Sequence, residues 1–351
     1  MTPVLATHDV RVGFRTGRRV ARVVVENLSL SVQAGEFICL LGPNGAGKSS
    51  LLRTLAGVQP PLDGTVDLAG SDLNQMPRAE VARQLATVLT DQHDTGRLTG
   101  RDLVSLGRHP YTGWFGRLDE HDDEVVNQAL ATVSVAHLAE RTVAELSDGE
   151  RQRIMIARAL AQQPAIILLD EPAAFLDVTA RVELVALLQR LAREQELAIV
   201  LATHDLELAL RSADRMWLLG SDGRLAAGLP EDVVAHGLLD RAFPNSNWAF
   251  DPIQWRFVFC GEPTGVATVT GTSLHASLAR RILEREGFLV DPIGAPRDVQ
   301  LAIEVVEGSR ALPTMIAHYD GGTETHEALQ PLADLARRVA STRRALRRDP
   351  A

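Results

Sequence analysis

Apolar positions along the chain change their spacing several times, and each change predicts an element. Val20–Val25 and Leu28–Val32 are rich in apolar and β-branched residues and follow the turn residues Gly13 and Gly17, which predicts antiparallel strands. Glu36–Leu41 is a short, mostly apolar strand that runs directly into Gly42-Pro43-Asn44-Gly45-Ala46-Gly47-Lys48-Ser49. From Ser50 the spacing turns helical and stops at Gly57. Ala86–Leu89 is strand-like. Val125, Ala129, Leu130 and Val133 then recur at helical spacing between Asp119 and Leu138, and another helix is expected from Ser147 to about Gln162. The stretch from about 93 to 162 therefore reads as a helical subdomain. Beyond it the β-type runs Ala165–Leu169, Ala198–Ala202 and Arg215–Leu219 alternate with a helix over Thr179–Glu194, as a parallel α/β sheet requires.

The turn-rich Phe243-Pro244-Asn245-Ser246-Asn247 marks a junction, so the chain is read as a domain over 1–243 and a second over 244–351. Strand candidates in the second are Phe257–Cys260, Gly265–Thr268, Phe288–Val290 and Gln300–Val305. Leu274–Arg285 and an arginine-rich Thr325–Arg348 supply its helices, giving a small α+β domain without an assigned site. Two domains suit 351 residues, more than one hydrophobic core usually organises. With 45% hydrophobic and 23% charged residues, the chain has an ordinary globular composition. Its net charge of -9 argues against nucleic acid as a partner. Two cysteines, without a CxxC pair, offer no zinc site and suit a reducing compartment. The first residues lack a signal-peptide pattern, and no run approaches the roughly 18 to 20 apolar residues that span a bilayer. A membrane role must act through a partner.

The glycine-rich segment completes G-x-x-x-x-G-K-[ST] between a strand and a helix. In that setting the backbone N–H groups of 42–50 cradle phosphates at a helix N-terminus, Lys48 reaches the β and γ phosphates, and Ser49 ligates Mg²⁺. Asp170 and Glu171 end the apolar Ile166–Leu169 run, at the strand end where α/β sheets bind ligands. Asp170 is expected to hold Mg²⁺ through water, and Glu171 to orient or deprotonate the attacking water. Ser147-x-x-Glu150 alone is a capping box.

In the order of these motifs the chain resembles an ABC ATPase: Leu146-Ser147-Asp148-Gly149-Glu150-Arg151-Gln152 is similar to the ABC signature and precedes Leu168-Leu169-Asp170-Glu171-Pro172. The resemblance implies a P-loop NTPase fold with an antiparallel β subdomain, and ATP with Mg²⁺ as ligands. It implies a homodimer in which Ser147 and Gly149 contact the γ-phosphate held by the partner's P-loop. Gln92 resembles the glutamine that senses Mg²⁺ and water, His204 the switch histidine on the γ-phosphate, Phe14 the aromatic that stacks on adenine, and Asp177 the D-loop aspartate. Asp148 stands where the signature usually has glycine, so its carboxylate must point away or be compensated.

Asp102-Leu103-Val104-Ser105-Leu106-Gly107-Arg108-His109-Pro110-Tyr111 is similar to the GR-x-P-aromatic stretch of importer ATPases for iron–siderophores, haem and cobalamin. It implies that a transmembrane permease docks near 92–115, presenting to it an exposed arginine and aromatic, and that a substrate-binding protein participates indirectly. The implied location is cytoplasmic, peripheral on the inner face of the membrane. A soluble ATP-switched scaffold and an exporter ATPase are the alternative readings.

Overall fold

The computed structural model describes residues 2–16, 19–89, 96–112, 116–244, 248–252, 255–259, 263–291, 299–306 and 314–348. The chain divides into two compact units, Met1–Pro244 with Pro252–Arg256, and Asn245–Asp251 with Phe257–Ala351.

The first unit is built on a six-stranded sheet in the order Leu225–Gly228, Arg215–Leu219, Phe37–Leu41, Ala198–Ala202, Ile166–Asp170, Leu85–Val88. Only the first pairing is antiparallel. Phe37–Leu41, Ile166–Asp170 and Ala198–Ala202 are buried at every residue. Continuous rather than alternating apolar runs are what a sheet covered on both faces needs. Each fully buried Ile or Leu side chain in them contributes about 1.5–3 kcal/mol relative to exposure. The helix Lys48–Leu55 drives Leu51, Leu52 and Leu55 into a core shared with Leu40, Leu168 and Val200, which fixes the glycine loop above the strand ends.

A second, antiparallel sheet begins earlier than the apolar pattern suggests, with a 12-residue strand Leu5–Thr16 between Arg19–Leu28 and Asp63–Leu68. Its signal is hidden because the register shifts between Val10 and Val12, Val12 and Gly13, and Phe14 and Arg15, each shift resetting the two-residue alternation. Helices Gly100–Ser105, Glu120–Thr132 and Asp148–Ala161 pack as a helical layer. The expected helix over 119–138 stops at Thr132, because Ser134 adopts a left-handed φ of 62° before the short turn Ala136–Leu138.

The second unit contains a sheet in the order Phe288–Val290, Gly265–Thr270, Leu301–Val306, Thr314–Tyr319, Gly322–His326. Its first three strands are parallel and its last two antiparallel. Leu274–Arg285 and Leu329–Arg348 share one core with the sheet, through Ala279, Leu283, Leu332 and Leu335. Thr325 and His326 belong to the last strand, so the C-terminal helix starts four residues later than its pattern predicts. That strand is polar throughout and carries little hydrophobic signal.

Candidate functional site

Strand Phe37–Leu41 delivers the loop 42–47 at its C-terminal end. Gly47 caps the following helix at φ 112°, and a Cβ there would overlap Val24 Cγ1, so both backbone and space demand glycine. No side chain caps this helix and its first turn holds no acid, which leaves its first N–H groups and positive dipole end for an anion. Lys48 is buried, and its Nζ donates to the carbonyls of Gly42 at 2.9 Å and Pro43 at 3.4 Å. It also lies 3.6 Å from Glu171 Oε1.

Asp170 and Glu171, distant in sequence, reach that lysine, and His204 reaches Glu171. Asp170 closes its strand only 4% exposed, beside the Ser49 hydroxyl that bonds to it, and its Oδ1 is buried without a hydrogen-bond partner. Burial pushes the Asp170 carboxyl above its ordinary range; the Ser49 hydrogen bond opposes this and the Glu171 charge adds to it. Glu171 has a left-handed φ of 48°, unusual for a non-glycine residue, and is held there by its N–H bond to Ala202 O at 3.0 Å. Its Oε2 lies 3.2 Å from Nδ1 of His204, which is itself exposed to solvent. One carboxylate thus faces the lysine with one oxygen and the histidine with the other.

The signature residues form a separate group. Ser147 caps Asp148–Ala161, accepting from Glu150 N–H, while the Glu150 carboxylate accepts from the Ser147 N–H at 2.9 Å and hydroxyl at 2.8 Å. These bonds hold the Glu150 carboxyl below its ordinary range. Asp148 is paired with Arg151 one turn on, so the acidic departure in the signature is compensated locally. Gly149 faces Leu176 and Ala180, and Asp177 caps Val178–Gln195 by accepting from Ala180 N–H at 2.8 Å. Phe175, Val178 and Val182 beside them are exposed. Among the described residues, no hydrogen bond or ion pair links Ser147, Gly149 or Asp177 to Lys48, Asp170, Glu171 or His204.

Phe14 is 43% exposed and directly opposite Arg22 on the neighbouring strand. Arg22 and Val24, together with Pro43–Ala46 and Ser221–Gly223, line a cavity of about 390 Å³ at the mouth of the glycine loop. These extra lining residues have no motif of their own; only strand pairing brings them there. Gln92 lies outside the described residues.

One expectation is overturned. Arg108, read as an exposed contact in the GR-x-P-aromatic stretch, is 2% exposed, because its guanidinium bonds to Asp122 Oδ1 at 2.7 Å and to Ala161 O at 2.9 Å. Leu106, two residues earlier, is the exposed apolar side chain of that turn.

The family described as ABC transporter matches residues 25–174. An uncharacterized ABC transporter ATP-binding protein of Methanocaldococcus jannaschii is 42% identical over 275 residues, covering 75% of this chain and 93% of its own. The ferric enterobactin transport ATP-binding protein FepC of Escherichia coli is 38% identical over 220 residues, 63% of this chain and 81% of its own. A dimeric bacterial ABC transporter cassette superposes with a TM-score of 0.56 at 26% identity, covering 64% of this chain and 98% of that one. Among the described residues, no helix is long and apolar enough to cross a membrane. With a glycine loop open to an anion and a carboxylate poised between lysine and histidine, the chain belongs to the ATP-binding proteins of ABC transporters and is an ATPase.

Proposed function

We propose that this chain is the motor subunit of an importer, hydrolysing MgATP in a head-to-tail homodimer. The observation that carries the reading is the separation of two half-sites within one chain: a phosphate cradle around Lys48, and a capped signature group around Ser147. A second copy turned head to tail brings one against the other, and the exposed Phe175, Val178 and Val182 give that contact an apolar part.

In this mechanism Gly42–Ser50 bind the triphosphate, Phe14 stacks on adenine, and Lys48 leaves its loop carbonyls for the β and γ phosphates. Ser49, Asp170 and Gln92 would hold Mg²⁺, Asp170 through water; the orphaned, buried Asp170 Oδ1 with the Ser49 hydroxyl is a donor set that suits a hard cation. When bound, the ion neutralises phosphate charge. Glu171 orients water and takes its proton, while His204 holds the γ-phosphate side of the site. From the partner, Ser147 and Gly149 bind the same γ-phosphate, and Asp177 connects the two sites.

A permease docks near 92–115, with Leu106 among its contacts, and a substrate-binding protein supplies the cargo to it. The cargo is a metal chelate of the iron–siderophore, haem or cobalamin kind, in keeping with the GR-x-P-aromatic stretch and with the ferric enterobactin relative. The chain then works on the cytoplasmic face of the membrane. Glu171→Gln is expected to bind ATP, lose turnover and accumulate as an ATP-dependent dimer in sedimentation. Near-normal hydrolysis would reject Glu171 as the base, and failure to co-purify with a multi-span membrane protein would favour a soluble scaffold.

A further inference from the structure

The helix that carries Ser147 at its first end is gripped at its other end. Gly107 packs so closely on Arg158 O and Ala161 Cβ that any side chain there would collide with them. Next to it, Arg108 donates to Asp122 Oδ1, to Ala161 O and, at 2.9 Å, to Gln163 Oε1. The Tyr111 ring lies 3.9 Å from the same guanidinium, and its hydroxyl donates to Gln162 O at 2.8 Å. Arg83 donates through Nε and Nη2 to Pro110 O, so the turn is anchored from a third element as well. Carbonyls at the end of a helix are otherwise unpaired, and here the segment 106–112 takes up those of Ala161 and Gln162.

A 14-residue helix is a rod of about 21 Å, so a small rotation where Arg108 holds it is delivered at Ser147 as a displacement. Burial works to raise the Asp122 carboxyl, but the bonds from Arg108 and the Asp119 N–H and the Arg108 charge outweigh it, so the pair is held ionised.

We propose that Arg108 is a positioning residue for the ATPase: it locks the far end of the signature helix to the 106–112 segment and thereby sets where Ser147 meets the partner's nucleotide. The inference rests on the head-to-tail reading above. It also gives the permease-docking turn a direct route to the ATP contact, with Leu106 outside and Arg108 inside one turn.

The test uses the full chain carrying Glu171→Gln, with ATP and sedimentation to measure dimer affinity. Arg108→Met combined with Asp122→Asn removes the fork without stranding a buried charge and keeps the acceptor that Asp122 offers to Asp119 N–H. Expected is a rise in dimer Kd of about tenfold or more, with monomer affinity for a fluorescent ATP analogue held within about twofold. Arg108→Lys, which keeps the charge and loses the fork, should restore part of the affinity. Tyr111→Phe removes only the hydroxyl on Gln162 O and should weaken the dimer by about threefold; if the double variant does not fold, Arg108→Lys against the unaltered Arg108 chain carries the test. Unchanged dimer affinity, or nucleotide and dimer affinity falling together, overturns the role of Arg108. A Glu171→Gln chain that never dimerises with ATP overturns the head-to-tail reading along with it.

Discussion

Asp170 is the residue at which function and stability should oppose each other. Its Oδ1 is buried and unpaired, and burial pushes the carboxyl upward, so above that raised range the nucleotide-free protein carries an ionised oxygen with no partner. Asp170→Asn keeps the shape and the Ser49 contact while dropping the charge. The difference between stranding a charged and a neutral oxygen, partly offset by the nearby Arg53 and Lys48 charges, is about 1 kcal/mol. For a unit of this size that raises the thermal midpoint by about 2–4 °C. The sign with pH follows from the raised value. The native state holds this proton to higher pH than the unfolded chain, so the wild type loses stability as pH rises from the ordinary carboxylate range through the raised one. The advantage of Asp170→Asn is therefore full above the raised range and vanishes in acid. Calorimetry with a chelator measures it directly. With MgATP the order should reverse, since ligand at 100 times its Kd adds about 2.7 kcal/mol to the wild type and little to the variant. A lowered midpoint in chelator on the alkaline side of the transition, or equal stabilisation of both proteins by MgATP, would refute the reasoning.

Two further outcomes follow from charge pairs. Arg151→Ala uncovers Asp148 at the signature and should weaken the ATP-trapped dimer several-fold at low salt and less at high salt, with Asp148→Gly restoring it; sedimentation at two ionic strengths checks this. In the second unit, the Tyr319 hydroxyl donates to Glu324 Oε1 at 2.6 Å, which raises the phenol above its ordinary value. Glu324→Gln should bring the ionisation down, readable as a shift in the ultraviolet phenolate titration, and an unmoved titration would contradict the pairing.

What could be read in the sequence divides by distance along the chain rather than by importance. The phosphate cradle is contiguous: a strand, a glycine loop and Lys48 lie within a dozen residues, so spacing alone exposes their chemistry. Asp170, Glu171 and His204 are legible too, because each follows an apolar run whose strand end is where ligands bind. Arg22 and Val24 carry no such mark, since they reach the cavity through strand pairing across a bulged strand. Arg108 shows the limit most sharply. An arginine after a short apolar helix is ordinarily exposed, and only partners 14 and 53 residues away turn it inward. The same long reach makes it informative. A surface arginine on that turn could change without disturbing the signature helix, whereas one whose fork is shared between Asp122 and Ala161 O is bonded directly to the helix that Ser147 caps. On the proposed docking turn the exposed Leu106 and the buried Arg108 thus sit two residues apart, and burial alone tells them apart.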